Sequence, residues 1–258
     1  MLFGLMGGRR KFKVDVAYTS ERGLVRKENQ DHVIADSKAL VFCVADGMGG
    51  GDAGGEASDI VCRNVDSVLH DYASFADRVR LVDEAIRRAD GDIRSVAASA
   101  GYRQMGSTAA VLVSDGKRIA AVGNVGDSRV YRMRAGRLQQ ITKDHTLAEE
   151  LAQHCPSRIA KPFADIRAIA LSHVLTRAVG VGQEPLKVDW HKIDVVDGDV
   201  LLLCSDGVHG SVPHPMLLGA VLAGGSSKEI IDRIATMVVE SGARDNYSAI
   251  VVKIGGSK

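Results

Sequence analysis

A charge of either sign is what this sequence lacks first: 33 basic residues stand against 32 acidic ones, a formal charge of +1, so no global field draws the chain to nucleic acid or to an anionic membrane surface. Aromatic residues are scarce at 4%, and no basic stripe interleaves with them, which argues against a two-metal nuclease or phosphodiesterase. No apolar run approaches the roughly 20 residues of a membrane-spanning helix, and the chain is expected in the cytoplasm, with no membrane span. No signal peptide is expected from this opening segment either. Leu2, Phe3, Leu5 and Met6 form a short apolar patch ahead of the basic Arg9, Arg10 and Lys11, the reverse of the order secretion needs. Residues 1–12 are read as a flexible extension, either a frayed start or a docking tail.

The cysteines, Cys43, Cys62, Cys155 and Cys204, show no C-x-x-C spacing, and suitably spaced histidines are short too, which argues against a zinc site. Cys43 and Cys204 lie inside apolar runs and read as reduced core thiols. Gly49-Gly50-Gly51 resembles a phosphate-cradling loop, yet no G-x-x-x-x-G-K-[ST] pattern accompanies it, which argues against a nucleotide P-loop.

What is present is an ordinary globular composition, 45% hydrophobic and 25% charged, in a chain of 258 residues, long enough for one sizeable core. One domain is expected over residues 13–256. Segments rich in β-branched and apolar residues predict strands at Val14–Thr19, Ala39–Ala45, Thr108–Ser114, Ile119–Val125, Val188–Val195, Val200–Cys204 and Ser248–Ile254. Helical periodicity marks Ala57, Ile60, Val61, Val65, Val68 and Leu69 as one stripe and Ile230, Ile231, Ile234, Val238 and Val239 as another, with a third helix over Ser74–Ala98. Short turns at Ser114-Asp115-Gly116-Lys117 and Arg134-Ala135-Gly136-Arg137 pair the strands directly, which favours antiparallel sheets covered by helices. From His154 to Ser172 there is no clear periodicity, and the stretch reads as a long loop of the kind that serves as a lid.

Five aspartates share one setting, the end of an apolar strand or a turn containing Gly or Asn: Asp31, Asp46, Asp127, Asp206 and Asp245. Singly, each is an everyday turn residue. Together, on strands that end at one rim, they would bring several carboxylates into one cleft, where they repel unless cations neutralise them. Hard divalent ions with oxygen ligands meet that need, and Gly47 would let the backbone approach such an ion closely.

Arg26-Lys27-Glu28-Asn29-Gln30-Asp31, Asp46-Gly47-Met48-Gly49-Gly50, Gly106-Ser107-Thr108-Ala109, Gly126-Asp127-Ser128-Arg129, Ser205-Asp206-Gly207 and Arg244-Asp245-Asn246 resemble the ordered motifs of type-2C metal-dependent serine/threonine protein phosphatases of the bacterial kind. The resemblance runs from about Val14 to Ile254. It implies an α+β fold, a four-layer α-β-β-α sandwich with two central, mainly antiparallel sheets. It also implies roles: Asp46 bridging two catalytic Mn²⁺ or Mg²⁺ ions, the Gly47 carbonyl completing one coordination sphere, Asp206 and Asp245 holding the other ion. Asp31 would orient metal-bound waters without touching a metal, Arg26 would bind the substrate phosphate, and Asp127 with Asp206 would form a third, weaker metal site. The expected reaction is hydrolysis of phosphoserine and phosphothreonine in proteins by water or hydroxide bridging the two ions. The implied partners are phosphorylated proteins, among them a bacterial Ser/Thr kinase or its substrates, and a monomer is expected.

This sequence departs from that pattern where many members carry a histidine at or just after the D-G-x-G-G motif; Met48 and Gly51 stand there, so no general acid is assigned. His145 is expected to be structural or tied to the lid. The alternative reading is a catalytically impaired metal-binding signalling module of the same fold.

Overall fold

Runs such as Val41–Ala45 and Val200–Cys204 are apolar at every position, a pattern that a half-exposed strand does not give and that burial on both faces does. The computed structural model describes residues 12–50, 52–69, 74–154, 171–182 and 185–255, and these runs lie at the centre of two stacked sheets. The first sheet is built from β1 (Lys13–Glu21), β7 (Arg129–Arg134), β8 (Arg137–Gln140), β10 (Val200–Cys204) and β11 (Tyr247–Gly255), in the order β1-β11-β10-β7-β8. The second contains β2 (Asp31–Asp36), β3 (Val41–Met48), β5 (Ala109–Ser114), β6 (Ile119–Val125) and β9 (Asp189–Asp194), in the order β2-β3-β5-β6-β9, with the two-residue β4 (Gly106–Ser107) pairing the end of β3. Every pairing is antiparallel.

Strand alternation divides the interior into three packed layers. Phe42 and Val44 of β3, Leu112 of β5, Leu201 and Leu203 of β10 and Ile250 and Val252 of β11 meet between the sheets. Their sequence neighbours point the opposite way: Val41, Cys43 and Ala45 pack against helices α1 (Asp52–Asp66) and α2 (Phe75–Ala100), while Leu202, Cys204, Ala249 and Val251 pack against α5 (His214–Leu222) and α6 (Ser227–Glu240). Two further short helices are α3 (Leu147–His154) and α4 (Asp206–His209). The result is the expected α-β-β-α sandwich. Truncating a fully buried side chain of the middle layer, such as Leu203, removes packing on both sheets and costs about 2–5 kcal/mol.

The helices begin and end where local chemistry dictates. The Ser74 hydroxyl accepts from the Asp77 N–H to cap α2, and Gly101 closes that helix in the left-handed conformation at φ 71°. Ser226 and Glu229 cap α6 reciprocally. Val239, assigned above to the buried stripe of this helix, is instead 44% exposed near its last turn; the buried face is set by Ile230, Ile231, Ile234 and Val238. Val68 and Leu69 lie beyond the end of α1 and stay buried in the turn that follows it. Residue 12 opens the described chain, with its N–H bonded to the Gly116 carbonyl, 2.7 Å, so the rest of the expected extension lies outside the described residues. The expected lid over 154–172 lies outside them too, apart from its ends, and so do Cys155 and Gly51.

Candidate metal and phosphate site

Strand registry brings the five aspartates to one rim. Asp31 opens β2 directly opposite Asp46 near the end of β3. Asp46 and Gly47 are strand residues, since β3 continues to Met48 by pairing Gly47 with Ser107 and Met48 with Gly106; the sequence had suggested a turn following the strand. In the other sheet Cys204 pairs with both Arg129 and Ala249, which sets Asp127, Asp206 and Asp245 on the three connections at the same edge. Arg26 sits on the loop from β1 to β2, which joins the two sheets across that edge. Arg26, Asp46, Gly47, Asp127, Asp206 and Asp245 thus line one cleft of about 530 Å³. Asp31 is not in the lining; it lies buried beneath it, with Oδ2 accepting from the Ser205 hydroxyl at 2.7 Å.

The electrostatics are those of crowded carboxylates. Burial pushes the Asp127 carboxyl up to about 7, with Asp206 adding to the effect. Asp31 is pushed up to about 7, again mainly by burial. Asp46 is raised well above the usual carboxylate range by burial and by Asp31, Asp206 and Asp127, and Asp206 is raised by burial and by Asp245. Carboxylates held this close stay charged together only when a cation lies among them. Arg26 offers one positive charge: its Nη2 lies 2.7 Å from Asp245 Oδ2, and that bond raises the guanidinium pKa further.

The surroundings fit divalent cations with oxygen ligands. Asp31 Oδ1 is buried without a hydrogen-bond partner, an acceptor left over beneath the cleft. At Gly47 a Cβ would fall 1.9 Å from the Gly54 carbonyl oxygen, so only glycine allows β3 and α1 to close on each other here. Among the described residues the carboxylates line the cleft without closing into a three-ligand cage.

Several positioning residues were not legible beforehand. Asn246 holds the Arg26 loop from three directions, its Oδ1 accepting from Gln30 N–H at 3.0 Å and its Nδ2 donating to the carbonyls of Arg22 and Glu28 at 2.9 and 2.7 Å. Thr108 Oγ1 accepts from the Asp46 N–H at 2.9 Å and contacts Ser128 Oγ at 2.7 Å, linking Asp46 to the turn that carries Asp127. Their signal was membership of the motifs quoted above; their partners lie on other strands. His145 Nδ1 accepts from the Gly126 N–H at 3.0 Å, Nε2 lies 3.0 Å from Asp189 Oδ2, and its carbonyl accepts from Thr176 N–H at 2.8 Å. It therefore joins the Asp127 turn to the segment that carries Thr176, a structural place. Met48, where a histidine was sought, points an apolar chain toward Gly106, and His173 reaches the cleft with Nδ1 4.0 Å from Asp206 Oδ2.

Comparison with known proteins bears on this arrangement. A family model described as protein phosphatase 2C matches residues 20–245. The serine/threonine protein phosphatase PstP of Mycobacterium tuberculosis is 32% identical over 239 residues, which cover 92% of this chain; the chain spans 44% of that relative. Among solved structures, PppA, a key regulatory component of the T6SS in Pseudomonas aeruginosa, superposes with a TM-score of 0.83 at 30% identity, covering 95% of this chain and 99% of PppA. The catalytic domain of PstP in complex with two manganese ions superposes with a TM-score of 0.82 at 28% identity, covering 95% of this chain and all of that domain.

Proposed function

Since the chain belongs to the protein phosphatase 2C family, we propose that its cleft hydrolyses phosphoserine and phosphothreonine in proteins with two Mn²⁺ or Mg²⁺ ions bound. The observation that carries this reading is the convergence of Asp46, Asp127, Asp206 and Asp245 with Arg26 in one cleft, above the buried Asp31. Asp46, whose carboxyl feels Asp31, Asp206 and Asp127, would hold the two ions together with the Gly47 carbonyl, Asp206 and Asp245. Asp127 and Asp206 would hold a third, weaker ion. When bound, the ion pair supplies a hydroxide at neutral pH and spreads the charge of an in-line displacement at phosphorus.

The residues of the chain do the rest. Arg26 exchanges its bond to Asp245 for a forked pair of bonds to phosphate oxygens, a geometry a lysine does not reproduce. Asn246 keeps that arginine in place by holding its loop. Asp31, with one oxygen tied to Ser205 and one free, accepts from a water at the cleft floor and orients it. Met48 has no proton to give the departing alkoxide, so the leaving group draws its proton from water or from another group in the cleft. The role we infer is the removal of phosphates set by a bacterial Ser/Thr kinase.

Phosphate release from a phosphothreonine peptide, followed with Mn²⁺, with Mg²⁺ and with chelator, tests the reading. Release is expected only with metal, and D206N should lose it. A folded chain with no release under any metal would instead be an impaired metal-binding signalling module, with Met48 as the leading cause.

A further inference from the structure

Helix α4 is a single turn, and its position is set from two sides. On one side Gly207 lies so close to the start of β11 that a Cβ would fall 1.9 Å from the Asn246 carbonyl oxygen, which seats Asp206 beside Asp245. On the other side His209 Nε2 lies 3.0 Å from the Asp127 carbonyl oxygen. A carbonyl only accepts, so the imidazole carries its proton on Nε2 and donates it. Burial favours the neutral ring, whose pKa falls to about 4. The Asp127 turn is also held through Gly126 by His145 and through Ser128 by Thr108, but those contacts lead to the sheet of β5 and β6 and to the segment after the lid. Beyond the pairing of Arg129 with Cys204, His209 gives this turn a side-chain link to the helix that carries Asp206.

We propose that His209 is a positioning residue for the third, weaker cation site, fixing the separation of Asp127 from Asp206. The inference rests on the reading of that site given above. Without the imidazole the Asp127 carbonyl loses its donor, and the turn loses a brace to α4 beyond the Arg129–Cys204 strand pairing, while the Gly207 contact keeps α4 and Asp206 in place. Asp46 and Asp245 keep their own supports, the Thr108 hydroxyl and the Gly207 contact, so the tighter ion pair is left intact.

Calorimetric titration of Mn²⁺ into the metal-free full chain tests this without relying on catalysis. In the parent, a weak class of sites should appear that D127N abolishes. H209L should weaken that class by about 10-fold or more, as loss of a residue that orients a ligand does, and leave the tight class unchanged. H209Q, whose amide N–H occupies the place of Nε2, should restore it. If H209L does not fold, H209N replaces it, since the shorter amide falls short of Asp127, and the same loss is expected. An Asp127-dependent weak class that H209L or H209N leaves at parental affinity overturns the role of His209 alone, and so does equal weakening in H209Q. A parent with no Asp127-dependent class overturns the third-site reading and the role of His209 with it.

Discussion

Two arginine–aspartate pairs stand near the cleft with nearly the same separation, 2.7 Å for Arg26–Asp245 and 2.6 Å for Arg129–Asp144, and they serve opposite ends. In the first, the side chains are 55% and 37% exposed; in the second, 26% and 13%. Arg129 also uses its Nε on both Asp144 oxygens and bonds the Tyr131 hydroxyl, so breaking that pair leaves a half-buried charge without its partner. The first pair faces water and an open cleft, where the energy of a salt bridge is small and a phosphate can displace the carboxylate. Length alone says nothing about strength; burial and the number of bonds decide whether a pair is a strut or a hand.

The comparison breaks if the wrong pair proves stabilising. Asp144→Ala should cost about 1–3 kcal/mol of stability in denaturant melts, because it leaves a half-buried guanidinium without its carboxylate. A loss comparable to that of an exposed pair would mean Arg129 finds water. Arg26→Ala should lower kcat for a phosphothreonine peptide by about 100-fold, with Arg26→Lys recovering only part, while the metal titration is unchanged. The same Arg26→Ala variant should shift stability by less than about 1 kcal/mol.

A subtler test uses pH. His209 is held neutral in the folded chain, with a pKa near 4 against the ordinary 6.5, so between those values the unfolded chain binds the extra proton. Its contribution is complete above 6.5 and is lost as pH falls toward 4. Asp31 and Asp127, raised to about 7, act with the opposite sign: metal-free stability from these groups is greatest at low pH and is lost as pH rises from 3.8 to 7. Comparing parent with H209Q isolates the histidine. The variant should lose less stability than the parent between pH 6.5 and 4.5, and identical slopes would show that the ring titrates freely in the fold.

The fold was legible wherever one strand's own composition decided its fate. Val200–Cys204 and Thr108–Ser114 could not be other than central, and the turns at Asp115-Gly116 and Ala135-Gly136 announced their hairpins. The aspartates were legible because strand ends and motifs coincide. What escaped depends on registry between segments far apart in the chain: Asn246 reaching back to Arg22 and Glu28, His209 meeting Asp127, Thr108 meeting Ser128. No local pattern encodes a partner more than 200 residues away, as with Asn246 and Arg22. The continuation of β3 through Gly47 was missed for a related reason, since its pairing partner is the two-residue β4.

The cleft also straddles the seam between the sheets. Asp31 and Asp46 come from one sheet, Asp206 and Asp245 from connections of the other, and Asp127 from the turn where the chain crosses between them. Neither half-sandwich holds the whole proposed ligand set, so on that proposal cation affinity would become available only after the two halves have docked. A bound ion would then act as a rivet through the joint, adding to stability by mass action in proportion to its concentration. Ion availability would set how long the docked pair survives as well as how fast it works.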